Sequence, residues 1–156
     1  MALLNSGRRF ECTPSSPRED EIQKIDFRVL DRDKPELGRI AVQLKSRPME
    51  DQEIAKILST GIVPLEVIAD NLETAIGKDG IIQNEEEAQA ILAEITLAID
   101  EYGQFIRSKI LSSPREPTNT QLLEFISSVK DKIKELYAKI NEQRFGSNGP
   151  RVFNPV

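Results

Sequence analysis

Two long stretches of helical periodicity, separated by a short connection, constrain this chain more than any other feature. Ala88, Ile91, Leu92, Ile95, Ala98, Ile99, Tyr102, Ile106 and Ile110 recur at spacings of three and four, which puts one apolar stripe along a helix. Asn84 before Glu85-Glu86-Glu87 supplies an N-cap and an acidic first turn, favourable at the positive end of the helix dipole. Ser112-Ser113-Pro114 stops the pattern. The spacing predicts a helix over 84–111, about 28 residues and roughly 42 Å long. Thr118 with Gln121 forms a second capping box. Leu122, Ile126, Val129, Ile133, Leu136 and Ile140 then keep a 4-3-4-3-4 rhythm, a coiled-coil seam over 119–145 with Ile133 central and buried. Glu135 and Lys139 add an i,i+4 pair. Matched helices joined by a short connection predict an antiparallel hairpin.

Residues 22–46 read as a β-hairpin. Ile25, Phe27 and Val29 alternate with Asp26, Arg28 and Leu30, while Ile40, Val42 and Leu44 alternate with Ala41, Gln43 and Lys45. The turn-rich Asp31–Gly38 stretch lies between them. Short helices are expected over 49–59, with Gly61 after it, and over 64–76, with Pro64 in its first turn. Residues 1–20 and 146–156 carry Pro, Gly and Ser without periodicity and read as extended arms. The expected fold is therefore α+β, mainly α: a single domain over 21–145 in which a long antiparallel helical hairpin carries two short helices and one β-hairpin.

Composition narrows the chemistry. The 156 residues contain no His, no Trp and one Cys. A Ser-His-Asp triad, a Cys-His pair and a His-ligated metal are excluded. One Cys makes no internal disulfide. Cys12, beside Glu11 in an arm, lacks a base to activate it. No apolar run approaches the length of a membrane span, and Ala2-Leu3-Leu4 is too short for a signal-peptide core. The Gly residues are scattered and no Gly-Lys-Ser/Thr occurs, so no phosphate loop is expected.

Charge is unevenly spread. Residues 49–104 hold two basic and thirteen acidic groups, whereas 105–156 hold nine and five. The acidic middle opposes nucleic-acid binding. A helix-turn-helix over 52–76 is disfavoured for the same reason: Glu66, Asp70 and Glu73 give its second helix the wrong sign for a major groove. Lys78-Asp79-Gly80-Ile81-Ile82-Gln83-Asn84-Glu85-Glu86 resembles the second half of an EF-hand loop. Ala75 and Gly77 stand where two carboxylates are needed, however, so a calcium cage is not expected. Ser15 and Ser16 before Pro17 form a proline-directed phosphorylation pattern.

These observations point to a non-enzymatic structural or adaptor subunit of a larger protein assembly, with no cofactor, metal or small-molecule substrate. Open edges of a two-stranded sheet favour assembly. Each arm also carries an Arg–aromatic cluster of the kind that anchors interfaces: Arg8, Arg9 and Phe10 in one, Arg151, Val152 and Phe153 in the other. The expected partners are other protein subunits, as a homo-oligomer or hetero-assembly, without direct nucleic-acid or membrane contact. The expected location is the cytoplasm or a large assembly such as the neck, tail or shell of a virion. The alternative is a helical regulator that dimerises and sequesters a basic protein.

Overall fold

A computed structural model describes residues 2–5, 8–18, 24–67, 75 and 83–145. Four strands form one sheet: β1 (Phe10–Pro14), β2 (Phe27–Asp31), β3 (Arg39–Lys45) and β4 (Val63–Glu66), in the order β1-β2-β3-β4. The first two pairings are antiparallel. β3 and β4 are parallel, with Val42 beside Val63 and Leu44 beside Leu65. Parallel neighbours require a crossover, here the helix Asp51–Ser59. The helices are α1 (Ala2–Asn5), α2 (Asp51–Ser59), α3 (Glu85–Phe105) and α4 (Asn119–Phe145). A π-helical segment, Ile106–Leu111, extends α3.

This corrects the expected architecture in three places. The β-hairpin is the centre of a four-stranded mixed sheet, so a helical hairpin with one β-hairpin does not describe the fold. The N-terminal segment supplies an edge strand rather than an extended arm. Phe10 is only 4% exposed, and Arg9 is tied to Asp31, which draws this segment onto β2. Val63–Glu66 is a strand, although a helix was expected from residue 64. Burial of Val63 and Leu65 beside β3 offers this segment more than one further helical turn. Beyond β4, only Val67 and Ala75, the latter helical and buried, are described within that expected helix; most of the EF-hand-like stretch and the C-terminal arm lie outside the described residues.

Strand register places Phe10, Phe27, Val29, Asp31, Ile40, Val42, Val63 and Leu65 on one face, all buried. Glu11, Thr13, Arg28, Leu30, Arg39, Ala41, Gln43 and Lys45 lie on the other, which is solvated except where Ala41 packs with Ile25 and Ile62. One dry and one wet face is the usual state of a largely antiparallel sheet. Ile54, Leu58, Ile95, Ile99, Leu122, Ile126 and Val129 complete the core from α2, α3 and α4. Gly103 permits close approach of α3 to the sheet: a Cβ there would lie 3.2 Å from Ile40 Cδ1.

The helices start on their own side chains. Asn84 Oδ1 accepts from the Glu87 N–H at 3.1 Å. Gln121 Oε1 accepts from the Thr118 N–H at 2.9 Å, while Thr118 Oγ1 accepts from the Gln121 N–H at 3.2 Å. α3 and α4 run antiparallel, joined by Tyr137–Glu94 and Lys132–Glu101 contacts and by Phe105 stacked on Phe125 at 4.1 Å. Ile126 and Val129 are fully buried, whereas Ile133 is only half-buried. The seam thus loosens one turn earlier than its heptad rhythm implies.

Both outer strands restrict further pairing. In β1, Glu11 and Thr13 face β2, so the N–H groups of Phe10 and Cys12 point outward. Asn5 Oδ1 accepts the Cys12 N–H at 2.8 Å, and Pro14 has no N–H to offer. In β4, the Val67 N–H reaches Lys45 O at 2.9 Å. By alternation, positions 64 and 66 face outward, and position 64 is proline. These are recognised means of blocking edge-to-edge growth. The open edges expected from a lone hairpin are therefore largely shut.

Candidate functional site

Of the residues singled out in the N-terminal segment, Phe10 and Arg9 take part in packing the first strand against the second. Phe10 is a core residue. The Arg9 guanidinium donates from Nε and Nη2 to both oxygens of buried Asp31, each at 2.9 Å, and lies 5.2 Å from the centroid of the Phe10 ring. Burial pushes the Asp31 carboxyl up, but the Arg9 hydrogen bonds, the Asp33 N–H and Lys34 outweigh it, leaving Asp31 below the usual carboxylate range. Arg8 is exposed, and its carbonyl accepts from Arg32 Nη1 at 2.7 Å. Arg151, Val152 and Phe153 lie outside the described residues. Cys12 is half-buried, and burial raises its thiol.

A different set of residues converges around the start of β3. The start of β3, the loop after α2 and the π-helical segment enclose an open groove of about 690 Å³. Its cations are Arg28 on β2, Arg39 on β3 and Arg107 on the π segment. Its floor is aliphatic, with Ile40, Ile62 and Ile106 buried and Leu111 at the rim 74% exposed. Among the described residues, no aromatic side chain lines it.

Local backbone chemistry sets this shape. α2 ends at Ser59 with Thr60 as its cap, and Gly61 turns the chain with a φ of 83°, a left-handed conformation that costs a side-chain-bearing residue about 1–2 kcal/mol. A Cβ on Gly61 would lie 3.7 Å from Leu111 Cδ2 and 4.0 Å from Ile106 Cγ2. The π segment therefore sits directly over the turn. Wider π-helical windings are uncommon and recur at functional positions. Here the winding presents Arg107 and Leu111 at the groove.

Arg39 and Arg107 differ in what holds them. Arg39 Nη1 donates to Thr13 Oγ1 at 3.0 Å, and its Nη2 lies 3.9 Å from Glu11 Oε1. Arg107 is exposed and makes no ion pair or hydrogen bond among the described residues. The groove thus combines an uncommitted cation, a partly neutralised one and an exposed aliphatic side chain over a dry floor. It suits recognition of a carboxylate-bearing, apolar segment.

Sequence reading did not find this groove. Arg28 and Arg39 stood at outward positions of their strands and Arg107 at an outward helical position, which is where solvated arginines ordinarily stand. Their convergence arises only from the packing of three elements.

No protein-family model, curated protein or solved structure matches the chain. Among the described residues, no group of three or more Cys, Asp or Glu side chains is placed to hold a metal ion, and no helix is long and apolar enough to cross a membrane.

Proposed function

We propose that this protein is a non-enzymatic adaptor subunit of a larger protein assembly, acting in the cytoplasm or within that assembly. Its docking element is the Arg28–Arg39–Arg107 groove, which receives an extended partner segment carrying carboxylates around an aliphatic or aromatic anchor. The single observation behind this reading is the pairing of exposed Leu111 with uncommitted Arg107 over an aliphatic floor. Arginine is enriched among interface anchors, and Leu111 offers an exposed aliphatic surface beside it.

Two further features support a protein segment over other occupants. The largely closed sheet edges disfavour docking by strand addition and leave side-chain recognition. Among the described residues, the groove has no aromatic side chain to serve as a stacking platform for single-stranded nucleic acid, and the chain's net charge of −5 disfavours a polyanion.

Display of random twelve-residue peptides against the full chain tests this reading. The expected selection is for two or more Asp or Glu around one bulky apolar residue, with binding reduced by Arg107→Glu. Selection of basic peptides, or of peptides indifferent to Arg107→Glu, contradicts it.

A further inference from the structure

A second cleft, independent of the arginine groove, lies between β4, α3 and α4 and encloses about 240 Å³. Tyr102 of α3 lines it. This residue is only 4% exposed, and its ring is held edge-on against Phe125 at 5.9 Å. Its hydroxyl has no hydrogen-bond partner among the described residues. No buried side-chain oxygen or nitrogen is left unpaired among the described residues, so solvent reaches the Tyr102 oxygen and its O–H is available to an acceptor that enters the cleft. Burial, with the negative charges of Glu66 and Asp51, keeps this phenol protonated and therefore a donor.

The same cleft carries both signs of charge. Glu94 accepts the Tyr137 O–H through Oε2 at 2.7 Å, and Glu66 accepts the Met49 N–H through Oε2 at 3.1 Å. Neither carboxylate is matched to a cation among the described residues, and the hydrogen bonds to both engage Oε2 alone. Lys134 lines the opposite wall without a partner among the described residues, while Lys130 is held by Asp51. Leu65 and Ile133 supply an aliphatic surface.

A simple anion entering here would face two carboxylates. A simple cation would leave the Tyr102 hydroxyl and Lys134 unanswered. A small molecule bearing both charges answers all four groups, and the cleft has room for one the size of a single amino acid. We propose that this cleft binds a zwitterion of the aliphatic α-amino-acid class. Its ammonium sits on Glu94 and Glu66, its carboxylate on the Tyr102 hydroxyl and Lys134, and its side chain against Leu65 and Ile133.

The test uses the full chain with L-valine as probe, and acetate and methylammonium as half-ligands at equal concentration. L-valine is expected to give saturable transfer in ligand-observed NMR and to raise the melting temperature, while neither half-ligand does so. Tyr102→Phe is expected to leave the unliganded melting temperature unchanged or slightly higher and to weaken L-valine binding about tenfold. Lys134→Met, an exposed change, is expected to weaken it in the same direction. Absence of saturable transfer at millimolar L-valine, or equal shifts from the half-ligands, overturns the proposal. So does a Tyr102→Phe variant that melts lower without ligand, since the hydroxyl would then be serving the fold.

Discussion

Arg9 grips Asp31 through two parallel hydrogen bonds of 2.9 Å, and this pairing joins the first strand to the second at a fully buried carboxylate. Removing the guanidinium leaves that carboxylate unpaired in the core. Arg9→Ala is expected to cost about 3 kcal/mol, the lower end of the range for breaking a buried pair, because Arg9 itself is partly solvated. Urea denaturation measures it. The pH dependence has a definite sign. Asp31 titrates lower in the folded protein than in the unfolded chain, so its contribution is present above about pH 4 and lost as pH falls through the folded value. Acid unfolding of Arg9→Ala should lack that component.

Glu94 works in the opposite direction. Burial raises its carboxyl, Glu66 adds to the rise, and the Tyr137 O–H opposes it. The folded state therefore holds this proton more tightly than the unfolded chain, and stability falls as pH rises above about 4 through the folded value. Glu94→Gln keeps an acceptor for Tyr137 and removes the ionisation. Its melting temperature is expected to decline less than that of the wild type as pH is raised from about 4 to neutrality.

The helical seam has a graded interior. Val129 is fully buried and Ile133 half-buried, so a carboxylate at the two positions should have unequal consequences. Val129→Asp is expected to cost several kcal/mol or abolish folding. Ile133→Asp is expected to cost clearly less, because its charge reaches water. Equal losses in chemical denaturation would show the seam to be uniformly closed.

How much of this was legible in the sequence varies with the range of the interaction. The helix starts at Asn84 and Thr118 were legible because capping is local: the residues that close the hydrogen bonds are three apart. The central strands announced themselves by alternation on both sides of a turn. The first strand did not, since Phe10-Glu11-Cys12-Thr13-Pro14 alternates over too few residues, and its stability comes from Asp31, more than twenty positions away. Val63-Pro64-Leu65-Glu66 was ambiguous in principle. Proline suits both the first turn of a helix and an edge strand, and only the vacant side of β3 decides between them. The arginine groove was illegible for the same reason, because Arg28, Arg39 and Arg107 meet only after the sheet and α3 have packed.

Leu111 separates docking from folding. At 74% exposure it contributes little to the core, so Leu111→Asn is expected to change stability by no more than about 0.5 kcal/mol. Its loss should nonetheless weaken binding of an acidic–apolar peptide about tenfold, as for an interface anchor. Paired circular dichroism melts and peptide titrations distinguish the two effects.

Charge reversal at Arg107 tests the adaptor reading most directly. The measurement is fluorescence anisotropy of a labelled peptide with Asp and Glu around one leucine, titrated with wild type and with Arg107→Glu at low and physiological salt. Wild type is expected to bind with one peptide per chain and to weaken as salt rises. Arg107→Glu is expected to melt at the wild-type temperature, bind about tenfold more weakly and lose much of the salt dependence. Equal affinity for the two proteins, with Arg107→Glu correctly folded, would show that the groove is not the docking site.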